Sequence, residues 1–135
     1  MTASPPDPAA PVAGNDGSGG FDGGECLAML ARTTMGRVGL VVDGLPYVHP
    51  VRMAVEGGHV LIGVSGETLA AAIDDVVIAL QADGFEEDRG RRWSVLAVGP
   101  ASPVDLATGP RPHPVAAEPY AFRLRPRVLS GGWLA

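Results

Sequence analysis

Hydrophobic residues first recur with a helical spacing at Glu25–Ala31 (ECLAMLA), where Cys26, Leu27, Leu30 and Ala31 share one side and Gly23-Gly24 stand ahead of them. The pattern then changes to extended runs. Gly36–Val42 ends at Asp43-Gly44, a hairpin signal, and Pro46–Val55 ends at Glu56-Gly57-Gly58, a second turn. His59–Val64 completes a three-strand meander. Pro50 cannot donate to a ladder, so it predicts a bulge or an edge position in the second run. The stretch Leu61–Ile73 (LIGVSGETLAAAI) hands a strand to a short helix over Thr68–Ile73, with Ser65 as the expected N-cap. Val76–Ala82 reads as a fourth strand, DGFEEDRGRR as an acidic-then-basic loop, and Trp93–Val98, continuing to Val104, as a fifth. Asp105–Pro119 is proline-rich and reads as a crossing loop. Tyr120, Phe122 and Leu124 then alternate with Ala121, Arg123 and Arg125, a sixth strand with an apolar and a basic face.

Helix, meander, helix and three further strands predict a mainly β fold, a small antiparallel barrel with helices at the joins. No repeating βαβ pattern supports a doubly wound sheet. The chain of 135 residues suits one domain, residues 25–135. Residues 1–24 hold four prolines and six glycines and read as a disordered tail. The GSGG within them lacks the spacing and the preceding strand of a dinucleotide fingerprint.

Charge and composition remove several classes of function. All ten basic residues are arginine, so neither a lysine Schiff base nor a Walker-type lysine exists. A net charge of −5 and a pI near 5.0 argue against a nucleic-acid partner. Cys26 stands alone, which excludes an intrachain disulfide, favours a reducing compartment and suits a core position. The apolar run Val76–Leu80 is too short for a bilayer and the N-terminus has no signal-peptide pattern, so no membrane is expected and the reading is cytoplasmic. His49, His59 and His113 lie far apart with no second metal ligand at a fixed spacing, no G-x-S-x-G elbow occurs, and the carboxylate clusters Asp74-Asp75 and Glu86-Glu87-Asp88 fall at turns. No catalytic residue and no metal site are assigned.

The junction at Leu61–Ile73 is a place where a helix start can meet a phosphate. Yet no Lys or Arg lies in it, and Glu67 adds a negative charge. The order of GRVGLVVDGLPYVHPVRMAV, GHVLIGVSGETLAAAI, RRWSVLAVGPASPV and YAFRLRPRVLSG resembles the pyridoxamine 5′-phosphate oxidase-like flavin-binding split barrels, from about Glu25 to Gly131. The G-R-x-x-x-x-x-D-G-x-P start and the W-S-V-x-x-x-G strand carry it most specifically. The resemblance implies a six-stranded antiparallel split β-barrel with short flanking helices, assembled as a homodimer whose FMN sites are built from both chains. It implies Val51, Arg52 and Met53 beside the flavin ring, and Gly63, Val64, Ser65, Glu67 and Thr68 at the phosphate end. It also implies that Trp93 and Ser94 approach from the partner.

The family's third-strand arginine and its lysine just inside the helix align with Gly63 and Thr68, which are uncharged. Charge-assisted contacts are roughly twice as strong as neutral ones, so phosphate binding is weakened. Replacement donors are Arg52, Arg91, Arg92, Arg123 and Arg125. Each has a simpler role: Arg91 and Arg92 as counter-charges to the acidic run, Arg123 and Arg125 facing water or a dimer interface. Arg52 needs a polar surface or partner between Val51 and Met53, Trp93 suits interfacial core, and His49 suits an ordinary strand position. The leading expectation is a small FMN- or F420-dependent oxidoreductase acting on a small molecule. Its rival is a flavin-free split-barrel dimer, with no cofactor, acting as a binding or regulatory module. A third reading is a small barrel taking an apolar ligand or haem in the same cleft.

Overall fold

In the computed structural model, which describes residues 20–105 and 112–134, the chain is mainly β, with seven antiparallel strands and two short helices. Helix α1 is Gly23–Leu30, and strands β1 (Met35–Val42), β2 (Leu45–Glu56) and β3 (His59–Val64) form the expected meander. Helix α2 (Glu67–Ile73) follows, then the hairpin of β4 (Val77–Glu86) and β5 (Arg91–Pro103), a 3-10 turn at Val115–Ala117, β6 (Tyr120–Leu124) and β7 (Val128–Trp133). The pairing order β4-β1-β2-β3-β6-β5 closes on itself through β4–β5, and β7 also pairs with β5.

The seventh strand comes from a break in the expected sixth. Ala101–Pro103 pair with β6 and Trp93–Val98 pair with β7, so both lie along one edge of β5. Between them Arg125-Pro126-Arg127 bulges toward β5, with Arg125 N–H donating to the Pro100 carbonyl at 3.1 Å and Arg127 N–H to the Val98 carbonyl at 2.8 Å. Pro126 has no N–H to keep the ladder regular. Any side chain at Gly99 would overlap the Arg125 carbonyl oxygen, so the bulge requires glycine opposite it.

Three further expectations are corrected. DGFEEDRGRR is largely strand: β4 runs to Glu86 and β5 begins at Arg91, with Gly90 in the left-handed region at the turn. Gly84 leaves room for the Trp93 indole across the ladder, which lets the hairpin continue past it. The N-cap of α2 is Gly66, not Ser65, and no side chain caps it. Phe21 and Asp22, placed by the sequence reading in the tail, belong to the fold: Phe21 is buried, and Asp22 forms a capping box with Glu25. Residues 1–19 of the expected tail lie outside the described residues.

Inward-facing Val38, Val51, Met53, Val60, Ile62, Leu80, Val95 and Leu124 fill the ring; Cys26 and Leu30 from α1 and Ile73 from α2 join the same core. At Pro50, β2 is paired only on its β1 side, the edge position that proline requires. Among the described residues no helix is long and apolar enough to cross a membrane.

Candidate functional site

The alternation of β2 separates the three residues expected beside a ring. Val51 and Met53 are buried in the core, while Arg52 points outward. Its cross-strand partner is Gly63, which in turn pairs with Ala121, so Arg52, Gly63 and Ala121 share the outer face. Val64 returns to the core. Beyond it Ser65, Glu67 and Thr68 are exposed around the start of α2.

The outer face at Gly63 is covered from within the chain. Val115 is fully buried with Leu61 and Ala121 in a second, smaller apolar cluster outside the ring. Glu118 follows the 3-10 turn, its N–H donating to the Val115 carbonyl at 3.0 Å. Arg52 Nε donates to Glu118 Oε1 at 2.9 Å, an ion pair in which the carboxylate side chain is 17% exposed and the arginine 47%. A Cβ at position 63 would lie 2.9 Å from Glu118 Cγ and 3.2 Å from Val115 Cα. An arginine at position 63, which the resemblance implies for this strand, would have to displace Glu118 and the Val115 backbone. A phosphate does not fit over Gly63 as the face stands, because that space is filled and the filling group is an anion, whereas Ser65, Gly66, Glu67 and Thr68 beyond it are exposed.

Trp93 and Ser94 part in the same way as Val51 and Arg52. Trp93 is buried in the core of its own ring. Ser94 faces outward, its Oγ accepting from Gln81 Nε2 at 3.0 Å; Arg37 joins this ladder by donating to Gln81 Oε1 and Asp83 Oδ1, each at 3.0 Å. Trp93 pairs with Gly84 and Trp133, whereas Gly63 pairs with Arg52 and Ala121, so the ladder of one chain does not bring them side by side.

Two surface features escaped sequence reasoning. A cleft of about 230 Å³ lies between the β1–β2 hairpin and α2, lined by Leu40, Val42, Tyr47, His49, Thr68, Leu69 and Ala72. Its Tyr47 and His49 rings stack 6.1 Å apart, an i,i+2 pair on one strand face whose spacing was legible. A shallower groove of about 430 Å³ crosses the outer face of β5–β4–β1–β2 over Val41, Pro46, Val48, Val77, Ala79 and Val98. The arginines near the hairpin end also pack on aromatic rings. Arg89 and Arg91 lie over the Trp133 ring at 5.2 and 5.3 Å, Arg92 lies over Phe85, and Glu86 pairs with Arg32. Among the described residues no three His, Cys, Asp or Glu side chains gather as a metal site. Burial, with Asp22 and Glu25 nearby, pushes the Cys26 thiol up to about 11, far from a reactive thiolate.

A closed antiparallel ring with a broken last strand and a helix behind the meander is the split-barrel class. A family model described as pyridoxamine 5′-phosphate oxidase matches residues 22–112, and the chain belongs to that family. No curated protein matches it. Among solved structures, an FAD-binding protein from Mycobacterium smegmatis is 24% identical with a TM-score of 0.70, covering 87% of this chain and 98% of its own. An FAD-binding protein from Mesorhizobium loti is 18% identical over the same shares, also at 0.70. A flavocytochrome from Azotobacter vinelandii is 16% identical with a TM-score of 0.71, over 97% of this chain and 77% of its own. These likenesses are of fold.

Proposed function

We propose that the chain is a flavin-binding redox protein of its family, an FMN- or F420-dependent oxidoreductase for a small molecule, working as a homodimer. The observation that carries this reading is the family match over residues 22–112, on a fold shared with two FAD-binding proteins and a flavocytochrome. A bound flavin supplies the redox chemistry, and the protein's part is to position it and exclude water. The Arg52 guanidinium, half-exposed on the outer face, is a polar group this chain offers there, and the Tyr47–Thr68 cleft offers an apolar wall. At about 230 Å³ the cleft is below the roughly 300–1,000 Å³ of a usual ligand pocket, so it accommodates part of a ligand. The exposed apolar face at Val41, Val48 and Val77 supports a second copy completing the site.

A second reading, a flavin-free dimer acting as a binding module, is favoured by one feature: Glu118 over an uncharged Gly63, with Thr68 also uncharged. Reconstitution separates the two. Protein incubated with FMN, FAD or F420 and passed through gel filtration is expected to keep a flavin-type absorbance in a dimer-sized peak. Protein that emerges colourless from all three belongs to the second reading. A monomer that retains flavin contradicts the shared site.

A further inference from the structure

We infer that Glu118 is a built-in carboxylate that closes the outer face over Gly63, and that the chain selects a ligand with no phosphate at that place. The ligand half of this rests on the flavin reading above; the closure of the face does not. Three observations combine. Arg52, a cation on this outer face, already has an anion, with Glu118 Oε1 accepting from its Nε at 2.9 Å. The space is physically occupied, since even a methyl group on residue 63 would press on Glu118 Cγ at 2.9 Å and on the Val115 backbone at 3.2 Å. The carboxylate is also anchored, because Val115, three residues before it, is fully buried against Leu61 and Ala121. A phosphate entering here would meet Glu118 at close range with Glu67 on the same junction, and it would have to strip Arg52 from its partner. A tail without a phosphate meets none of these obstacles.

Riboflavin and FMN carry the same ring and differ by the phosphate, so they are the probes. Binding to the full chain is followed by quenching of flavin fluorescence, for the wild type, Glu118→Ala, Glu118→Gln and the double variant Arg52→Gln/Glu118→Ala. The wild type is expected to bind riboflavin at least as tightly as FMN. Glu118→Ala shifts the ratio toward FMN by about tenfold, the size of one added charge-assisted hydrogen bond. Glu118→Gln, which removes the charge but keeps the shape, shifts it less, and the double variant returns toward the wild-type ratio. A second arm needs no flavin: inorganic phosphate at constant ionic strength raises the thermal midpoint of Glu118→Ala and leaves the wild type unmoved. A wild type that binds FMN tenfold or more tightly than riboflavin overturns the inference. So does a Glu118→Ala variant with neither a shifted ratio nor phosphate stabilisation. If no variant binds either flavin while phosphate stabilises only the Glu118 variants, the closure stands and the flavin reading falls. Should Glu118→Ala not fold, Glu118→Gln answers both arms.

Discussion

On the outer face of β3 and β6, Leu61 and Ala121 are 3% and 5% exposed because Val115 lies over them, whereas on the outer face of β1 and β2, Val41 and Val48 remain 70% and 68% exposed. Both faces belong to one ring, and both carry small apolar side chains at outward positions. One is closed by a segment of its own chain that ends in the Arg52–Glu118 pair. The other has no such cover among the described residues. The contrast teaches that a strand's outward positions in a barrel are not solvent positions by default. From Val60 to Val64 β3 is buried on both faces, and VLIGV reads as an unbroken apolar run for that reason.

The hardest test of the contrast is Gly63→Arg, which puts a long side chain under the cover. It forces the 112–119 cover off the face and is expected to cost about 3 kcal/mol by overpacking, read as a lowered denaturant midpoint at unchanged slope. A variant of wild-type stability that binds FMN more tightly would mean the cover is not held as described. Leu61→Ala, under the cover, is expected to cost about 2–3 kcal/mol, against roughly 0.5 kcal/mol or less for Val41→Ala on the bare face of a monomer. Equal losses at the two sites would point to the bare face being covered as well, by a second copy. Val48→Asp addresses that copy directly: elution is expected to move from dimer to monomer, and an unchanged elution position removes this face from any dimer contact.

Smaller effects follow. Arg52 is about half-exposed, so Arg52→Ala is expected to cost only about 0.5 kcal/mol of stability, an effect that shrinks in high salt. It is nevertheless expected to reduce flavin retention more than Arg123→Ala does; equal retention would remove Arg52 from the ligand side. The last concerns the core behind both faces. Burial, then Asp22 and Glu25, raises the Cys26 thiol from 9.0 to about 11 in the folded chain. The unfolded thiol therefore ionises first, so this contribution to stability is intact below pH 9 and is lost as the pH rises from about 9 to about 11. Cys26→Ala removes that step from the pH–stability profile, and a step that persists has another origin. In the native protein at pH 8, Cys26 is expected to resist alkylation.

What the residues spelled out locally was the set of elements that depend on neighbours in sequence. Asp43-Gly44 and Gly57-Gly58 marked two hairpins because their left-handed backbone needs such residues, and both turns are present. The period of two in Tyr120–Leu124 placed Phe122 and Leu124 in the core. Alternation also carried a warning in Val51-Arg52-Met53, since three successive strand residues cannot all face one ligand. Ala121, read as part of a solvent-facing basic side, is buried, because period shows which residues share a face and not what covers it. Gly63 inside an apolar strand was a legible sign of close approach, but nothing nearby names the approaching group.

The sequence by itself determined the mainly β class, the meander, the strand-to-helix junction, the lone buried cysteine and the family. Only the tertiary structure decided that Glu118 meets Arg52 across 66 positions, that Trp93 is spent in its own core over Gly84, and that Pro126 breaks the last strand against Gly99. The division has one physical cause. Turns, periods and caps are set by residues a few positions apart, whereas covering a face and pairing a charge are set by which distant segments the closed ring brings together, and no local pattern records them.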